Sequence, residues 1–277
     1  MEIRFNPKGH TYESIDPSKV IDWIGVTSIV SKLKEPFDAD AIAPKSSKNK
    51  KSPWYGMDPE DIKAAWSSES KMAADLGRFY HDERETEITS FSTIVRKGKE
   101  LPIFRTTWDG DYKISPSQKL VEGVYPEHLI YLKSAGVCGQ SDRVEVINDT
   151  VDISDYKTNK EIRFESYRNW EGKAKMLLPP VSHLEDCEIV HYGLQLSLYM
   201  YMILKHNPIF KPGVLTINHV IFEEYSRNKF NQRTVVLDEN KKPIVKNVVN
   251  HTVPYYANEA KAIIEAVVAN REKFKKR

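Results

Sequence analysis

Hydrophobic and polar residues alternate from Gly136 to Lys157, where Val144 and Val146 lead into Asn148-Asp149 and Val151 and Ile153 follow it. Side chains of a strand point to alternate faces, so this pattern predicts two β-strands joined by a tight turn. Elsewhere the period is helical. Pro59 after Asp58 predicts a helix start, and residues 67–88 keep Met72, Leu76 and Phe79 on one stripe. Gly77, His81 and Glu85 stand four apart and share another face. Glycine in mid-helix costs about 1 kcal/mol against alanine, which points to a close neighbour there.

Glu188 to Lys205 has helical length, with Ile189, Leu196, Met200 and Ile203 available for a core and Gln195 and Tyr199 one turn apart. Val214–Phe222, Thr234–Leu237 and Pro243–Val249 read as strands, the last two flanking a DENKK turn. Asn258–Phe274 reads as an amphipathic helix with Ile263 and Val267 inward, ending in KFKKR. Near the start, Phe5–Glu13 and Val20–Val26 read as extended around a turn at Asp16-Pro17. A helix over Ile29–Leu33 follows, capped by Thr27 or Ser28 and closed by Pro36. Trp108-Asp109-Gly110 reads as the turn of a small hairpin. Tyr125-Pro126-Glu127 leads into a strand over His128–Leu132, whose pairing with the central hairpin would bring Glu127 near Asp142.

A chain of 277 residues can bury a sizeable core, and 40% hydrophobic with 29% charged residues is ordinary for a soluble α/β domain. No apolar run approaches the ~20 residues of a membrane span, and MEIRFNPKGHTYES lacks the apolar stretch of a secretory signal. The expectation is a cytoplasmic protein without a membrane partner, with Cys138 and Cys187 as free thiols. Two cysteines cannot ligate a four-cysteine iron-sulfur cluster. A net charge of +2 leaves nucleic-acid binding to local clusters. PKSSKNKKSP, residues 44–53, predicts a mobile surface loop whose Lys48, Lys50 and Lys51 either touch DNA phosphates or serve as a solvated linker.

Asp155 and Lys157 are two apart on the second strand and so share a face, with Asp142 on the strand beside them. Two carboxylates and an ammonium converging at a strand end suit phosphodiester hydrolysis: the acids hold Mg²⁺ or Mn²⁺ and Lys157 orients water or offsets phosphate charge. The same residues also fit a solvated hairpin edge with a salt bridge. His183, Cys187 and His191 invite a zinc site, but on one helix the outer two would lie ~12 Å apart along the axis, too far for a single ion.

Taken together, Gly77-x-x-x-His81-x-x-x-Glu85, Gly139-Gln140-Ser141-Asp142, Asp155-Tyr156-Lys157-Thr158 and Gln195-x-x-x-Tyr199 resemble the RecB-type branch of the PD-(D/E)XK nuclease superfamily. The match spans residues 70–205, and GVTSIVSKLKEPFD resembles the opening segment of phage-encoded and mitochondrial genome maintenance exonuclease-like members. The resemblance implies a mixed central sheet flanked by helices, a restriction-endonuclease-like core under an N-terminal helical arch. It implies one nuclease domain over 1–277: a lead-in with the basic loop (1–69), a catalytic core (70–205), then a sheet extension and C-terminal helix (206–277). By the same resemblance His81, Asp142, Asp155 and the Tyr156 carbonyl bind Mg²⁺ or Mn²⁺, and Lys157, with Asp142, Asp155, Gln195 and Tyr199, forms the catalytic set. Glu85 and Glu127 are further candidates. Ser141 departs from the family's proline, and Asp155 stands where glutamate is common. The implied activity is metal-dependent DNA cleavage from single-stranded or free ends, without an iron-sulfur cluster, alongside a helicase or replication and recombination partner, in the host cytoplasm if phage-encoded. The alternatives are a catalytically silent nuclease-fold scaffold and a structure-specific endonuclease.

Overall fold

The computed structural model describes residues 3–16, 18, 20–230 and 232–275. β1 (Ile3–Asn6) and β2 (Thr11–Ser14) form a hairpin, so Phe5–Glu13 folds back on itself rather than running extended. Pro17, and with it the expected Asp16-Pro17 turn, lies outside the described residues. β3 (Ile24–Gly25) runs directly into α1 (Val26–Lys32). That helix begins at Val26, before Ile29, because Val26 as well as Ile29 and Val30 is buried; Gly25 occupies the cap and neither Thr27 nor Ser28 serves.

α2 (Ala39–Lys48) corrects the reading of residues 44–53 as a single loop. Asp38 caps the helix by accepting from Ala41 N, alanines dominate its first turns and Ala43 is buried, so helix persists through Pro44 to Lys48. Lys48 ends it, Lys50 and Lys51 follow in the turn, and all three are exposed. α3 (Pro59–Thr89) starts as expected, with Pro59 in its first turn and Asp58 accepting from Glu60 N. Its 31 residues make a rod about 46 Å long.

Two small hairpins follow, β4 (Thr93–Arg96) with β5 (Lys99–Pro102), then β6 (Thr107–Asp109) with β7 (Tyr112–Ile114). β7 also pairs with β1, giving a four-stranded sheet in the order β2-β1-β7-β6. The central elements are β8 (Gly123–Leu132), β9 (Val137–Ile147) and β10 (Thr150–Lys157). Asn148 and Asp149, at φ 49° and 63°, make the two-residue turn between β9 and β10, a backbone whose twist matches that of the paired strands.

α4 (Glu188–His206) crosses over and β11 (Lys211–Phe222) returns parallel to β10. β12 (Glu224–Arg227) pairs with β13 (Arg233–Val235), and β14 (Val245–Val253) pairs antiparallel with β11. The expected hairpin across DENKK is therefore reduced to one bridge, Leu237 to Pro243, because β13 and β14 take different partners. Trp54 stacks on Phe230 with ring centres 4.2 Å apart, anchoring the β12–β13 hairpin to the turn before α3. The C-terminal helix is two, α5 (Ala257–Ala269) and α6 (Arg271–Phe274), broken at Asn270 with φ −146°. The break lets Phe274 bury and Arg271 donate to the carbonyls of Ala135 and Asp22, so this basic residue of the tail serves the fold.

The result is a mixed α/β protein around a mixed sheet in the order β14-β11-β10-β9-β3, with β8 on the other edge of β9. α1, α4, α5 and α6 share the main core with one face of the sheet, including Val144, Val146, Val151 and Ile153. On the other face Leu76 and Tyr80 of α3 pack against Val220 and Phe222. Both cysteines are buried and unpaired, and among the described residues no helix is long and apolar enough to cross a membrane.

His128 of β8 is 1% exposed, and burial, then the charge of His206, pushes its imidazole down to about 3. The unfolded chain would take up that proton near pH 6.5. Stability therefore rises with pH between about 3 and 6.5 and is lost as pH falls through that window, at about 1.4 kcal/mol per unit from this group. Unfolding of wild type and His128→Gln from pH 4 to 7 is expected to show a slope shallower by about one proton in the variant.

Candidate metal centre

The site is made by a fork in the sheet. β10 pairs with β9 only as far as Ser154 opposite Arg143, and β3 takes the same edge of β9 again at Val137 and Cys138. Between them, residues 139–142 have no strand on that edge. The gap is closed by side chains: Asp142 Oδ2 accepts a 2.6 Å hydrogen bond from Tyr156 N, fixing the first carboxylate against the departing strand. On β10, Asp155 and Lys157 share a face as their spacing requires, with Nζ 2.5 Å from Asp155 Oδ2.

His81 enters the fork from α3. Its Nδ1 lies 3.1 Å from Asp142 Oδ1 and its Nε2 lies 3.3 Å from the Tyr156 carbonyl oxygen. Both neighbours are acceptors, so both ring nitrogens must carry hydrogen, as they do in an imidazolium. Gly77, one turn earlier, brings α3 close: a Cβ there would stand 3.4 Å from Thr158 Oγ1. Glu127 comes from β8, directly opposite Asp142 between the pairs Pro126–Arg143 and His128–Ser141. Its φ of 49° is a left-handed backbone unusual for a residue with a side chain, and it turns the carboxylate into the fork. Gln140 Nε2 donates to Glu127 Oε2 at 2.7 Å and holds it there.

One ligand atom from each of His81, Glu127 and Asp142 lies within 4.8 Å of the other two. Ligands ~2.1 Å from Mg²⁺ stand at most ~4.2 Å apart, so movements of about half an ångström would close the set on an ion. Asp155 is outside this tightest group, and its Oδ2 is buried against the Lys157 ammonium. Burial first, then the charge of Asp142, raises the pKa of Asp155 against the pull of Lys157 and His81. The same two causes push Glu127 well above the carboxylate range, against Lys113. Burial works against a charged His81, but Asp142, with Asp155 and Glu127, outweighs it and lifts the imidazole to about 9. Carboxylates this close destabilise one another's ionised forms, and a shared cation relieves them. The protonated histidine is such a cation, standing among acids whose chemistry suits a divalent ion.

Lys157 is half-buried, and the carboxylates of Asp155 and Asp142 exceed the cost of that desolvation, so its pKa is raised and it remains an ammonium. Its Nζ sits 4.9 Å from the Tyr192 ring. Tyr199 is 2% exposed and packs where Gly139 leaves room; a Cβ on Gly139 would come 2.5 Å from its ring. Burial and then Asp155 raise its pKa, so the phenol keeps its proton, and Gln195 Nε2 donates to its hydroxyl at 3.2 Å. Glu85 lies near the site but is held by Lys113 at 2.5 Å. Lys48, Lys50 and Lys51 contribute nothing to the fork and sit on the exposed end of α2 and its following turn. The zinc combination does not form: His183 pairs with Glu259 at 3.1 Å and His191 with Asp186 at 2.8 Å.

Sequence reasoning missed Lys113, a buried lysine of β7 whose charge bears on Glu127. It missed Gln140 as the holder of Glu127 as well. Lys113 reaches the centre through the second sheet, so no local signal marks it.

No protein-family model matches the chain, and no curated protein does. A solved structure described as the crystal structure of SSO0001 aligns with 92% of this chain and 78% of its own at 11% identity. Its TM-score is 0.35, a likeness too slight to carry an argument.

Proposed function

We propose that this chain is a divalent-metal-dependent deoxyribonuclease, an exonuclease of the RecB-type branch of the PD-(D/E)XK superfamily. The observation that carries the reading is the convergence at one fork of His81, Asp142 and Glu127 beside the Asp155–Lys157 pair. On this reading the mixed sheet is a restriction-endonuclease-like core, and α3 with the segment before it is the arch over the fork. His81, Asp142 and Glu127 would hold one Mg²⁺ or Mn²⁺, with Asp155 and the Tyr156 carbonyl available to the same or a second ion. A divalent cation there supplies positive charge to the phosphate and acidifies the attacking water.

The chain's own residues do the remaining work. Lys157, held as an ammonium, orients the water and offsets charge on the phosphate rather than taking a proton. Tyr199 and Gln195 fix the wall behind Asp155, and Gln140 fixes Glu127. The exposed Lys48, Lys50 and Lys51 offer salt-sensitive contacts to the DNA backbone. Labelled linear and circular DNA incubated with Mg²⁺ or Mn²⁺ tests the reading: loss confined to linear DNA is expected. Cutting of circles would make the protein an endonuclease, and binding without cleavage a scaffold.

Because His81 is protonated up to about pH 9 in the metal-free protein and ligates only as the neutral ring, metal binding must expel its proton. The apparent Mn²⁺ affinity is therefore expected to rise about tenfold per pH unit from pH 6.5 towards 9. Calorimetric titration across that range measures it, and His81→Gln should make the slope shallower by about one proton while weakening binding.

A further inference from the structure

A cavity of about 220 Å³ opens beside the metal centre, and its walls carry the carboxylates of Glu85, Glu87, Glu127 and Asp142 and the guanidiniums of Arg84, Arg96 and Arg143. The arginines are incompletely satisfied. Arg96 Nε and Arg143 Nε both donate to the same oxygen of Glu145, at 3.0 and 2.7 Å, so two guanidiniums share one carboxylate and leave one positive charge in excess. Arg84 pairs with Glu87 one turn along α3, yet its Nε is buried with no hydrogen-bond partner. Glu85 is held by Lys113 and Glu87 by Arg84, so once Glu127 and Asp142 are committed to a cation the cavity presents that cation and the one uncompensated charge of the Arg96–Arg143 pair to a single small space.

Phosphate is the group that satisfies such a wall, since its oxygens serve a metal ion and the planar guanidinium fork at once. The volume falls below the ~300–1,000 Å³ of sites that enclose whole drug-sized ligands, which suits a phosphate group with the rest of its nucleotide at the mouth. Phe91, 57% exposed on the same wall, offers a face on which a base can stack. We infer that this cavity binds a terminal phosphomonoester, borne by the last nucleotide of a DNA strand or by the mononucleotide released from it. The inference rests on the nuclease reading for its natural ligand, though phosphate capture is measurable without cleavage.

Deoxyadenosine 5′-monophosphate and deoxyadenosine, neither of which contains a phosphodiester bond, are titrated with Mg²⁺ present into wild type, Arg84→Gln and Arg96→Gln. A charge-assisted hydrogen bond is expected to make the monophosphate bind wild type about tenfold tighter or better, and each substitution to cut that ratio towards one. Arg84 and Arg96 have side chains 38% and 32% exposed, on separate walls, so both variants are expected to fold. Equal affinities in wild type, or a ratio that survives both substitutions, would overturn the site. Ten-nucleotide strands with and without terminal phosphates, bound to Asp155→Asn, separate the sources: a gain from the end phosphate identifies the strand terminus, a gain only for the monophosphate identifies the released product. A wild-type protein that binds the monophosphate selectively but degrades no DNA would sink the nuclease reading and leave this site standing.

Discussion

Asp155→Asn is expected to lower metal-dependent DNA cleavage by about a thousandfold or more while leaving the protein folded. A neutral amide matches the shape of the carboxylate but contributes no charge to the cation and no fixed anion to Lys157. Burial and Asp142 raise the pKa of Asp155 in the fold, so its ionised form costs stability at pH 7, a cost that disappears as pH falls through the raised value. Removing the charge should leave the metal-free thermal midpoint unchanged or higher. Cleavage of linear DNA and a melting curve in chelator check both halves, and full activity in a folded variant would remove Asp155 from the site.

Lys157→Met should also abolish cleavage, by a factor of about a hundred to a thousand, but with the opposite effect on stability. The net pull of Asp155 and Asp142 raises the lysine's pKa, so its charge stabilises the fold at every pH below the unfolded value of ~10.4 and the contribution is lost only as pH rises through the folded value. The two variants are thus equally dead but unequally stable, with Asp155→Asn melting above Lys157→Met in the absence of metal. A merely structural salt bridge would lower both melting temperatures and leave any cleavage untouched.

Much of this centre was legible because its parts are local. The β9–β10 hairpin shows in the alternation of Val144, Val146, Val151 and Ile153 about Asn148-Asp149, and that period alone puts Asp155 and Lys157 on one face. The helical spacing of Gly77, His81 and Glu85 gives their common face, and only Gly77 and His81 turn out to meet the fork, Glu85 going to Lys113. Pairing of the strand after Tyr125 with the hairpin was enough to bring Glu127 to Asp142. The fork itself was not legible, because it depends on two strands leaving and rejoining one edge of β9, a property of long-range pairing that no local period records. Lys113 escaped for the same reason. Where local propensity misled, a cap or a buried contact decided: Asp38 and Ala43 carry α2 through Pro44, and the break at Asn270 lets Phe274 reach the core.

The most direct test of the account is a crystal of the wild-type protein soaked in Mn²⁺ and measured for anomalous scattering. A peak within bonding distance of His81, Asp142 and Glu127 is the expected result, absent from crystals of Asp142→Asn treated alike. A fork that stays empty of Mn²⁺ in the wild type, or a peak only at exposed acids elsewhere, would contradict it.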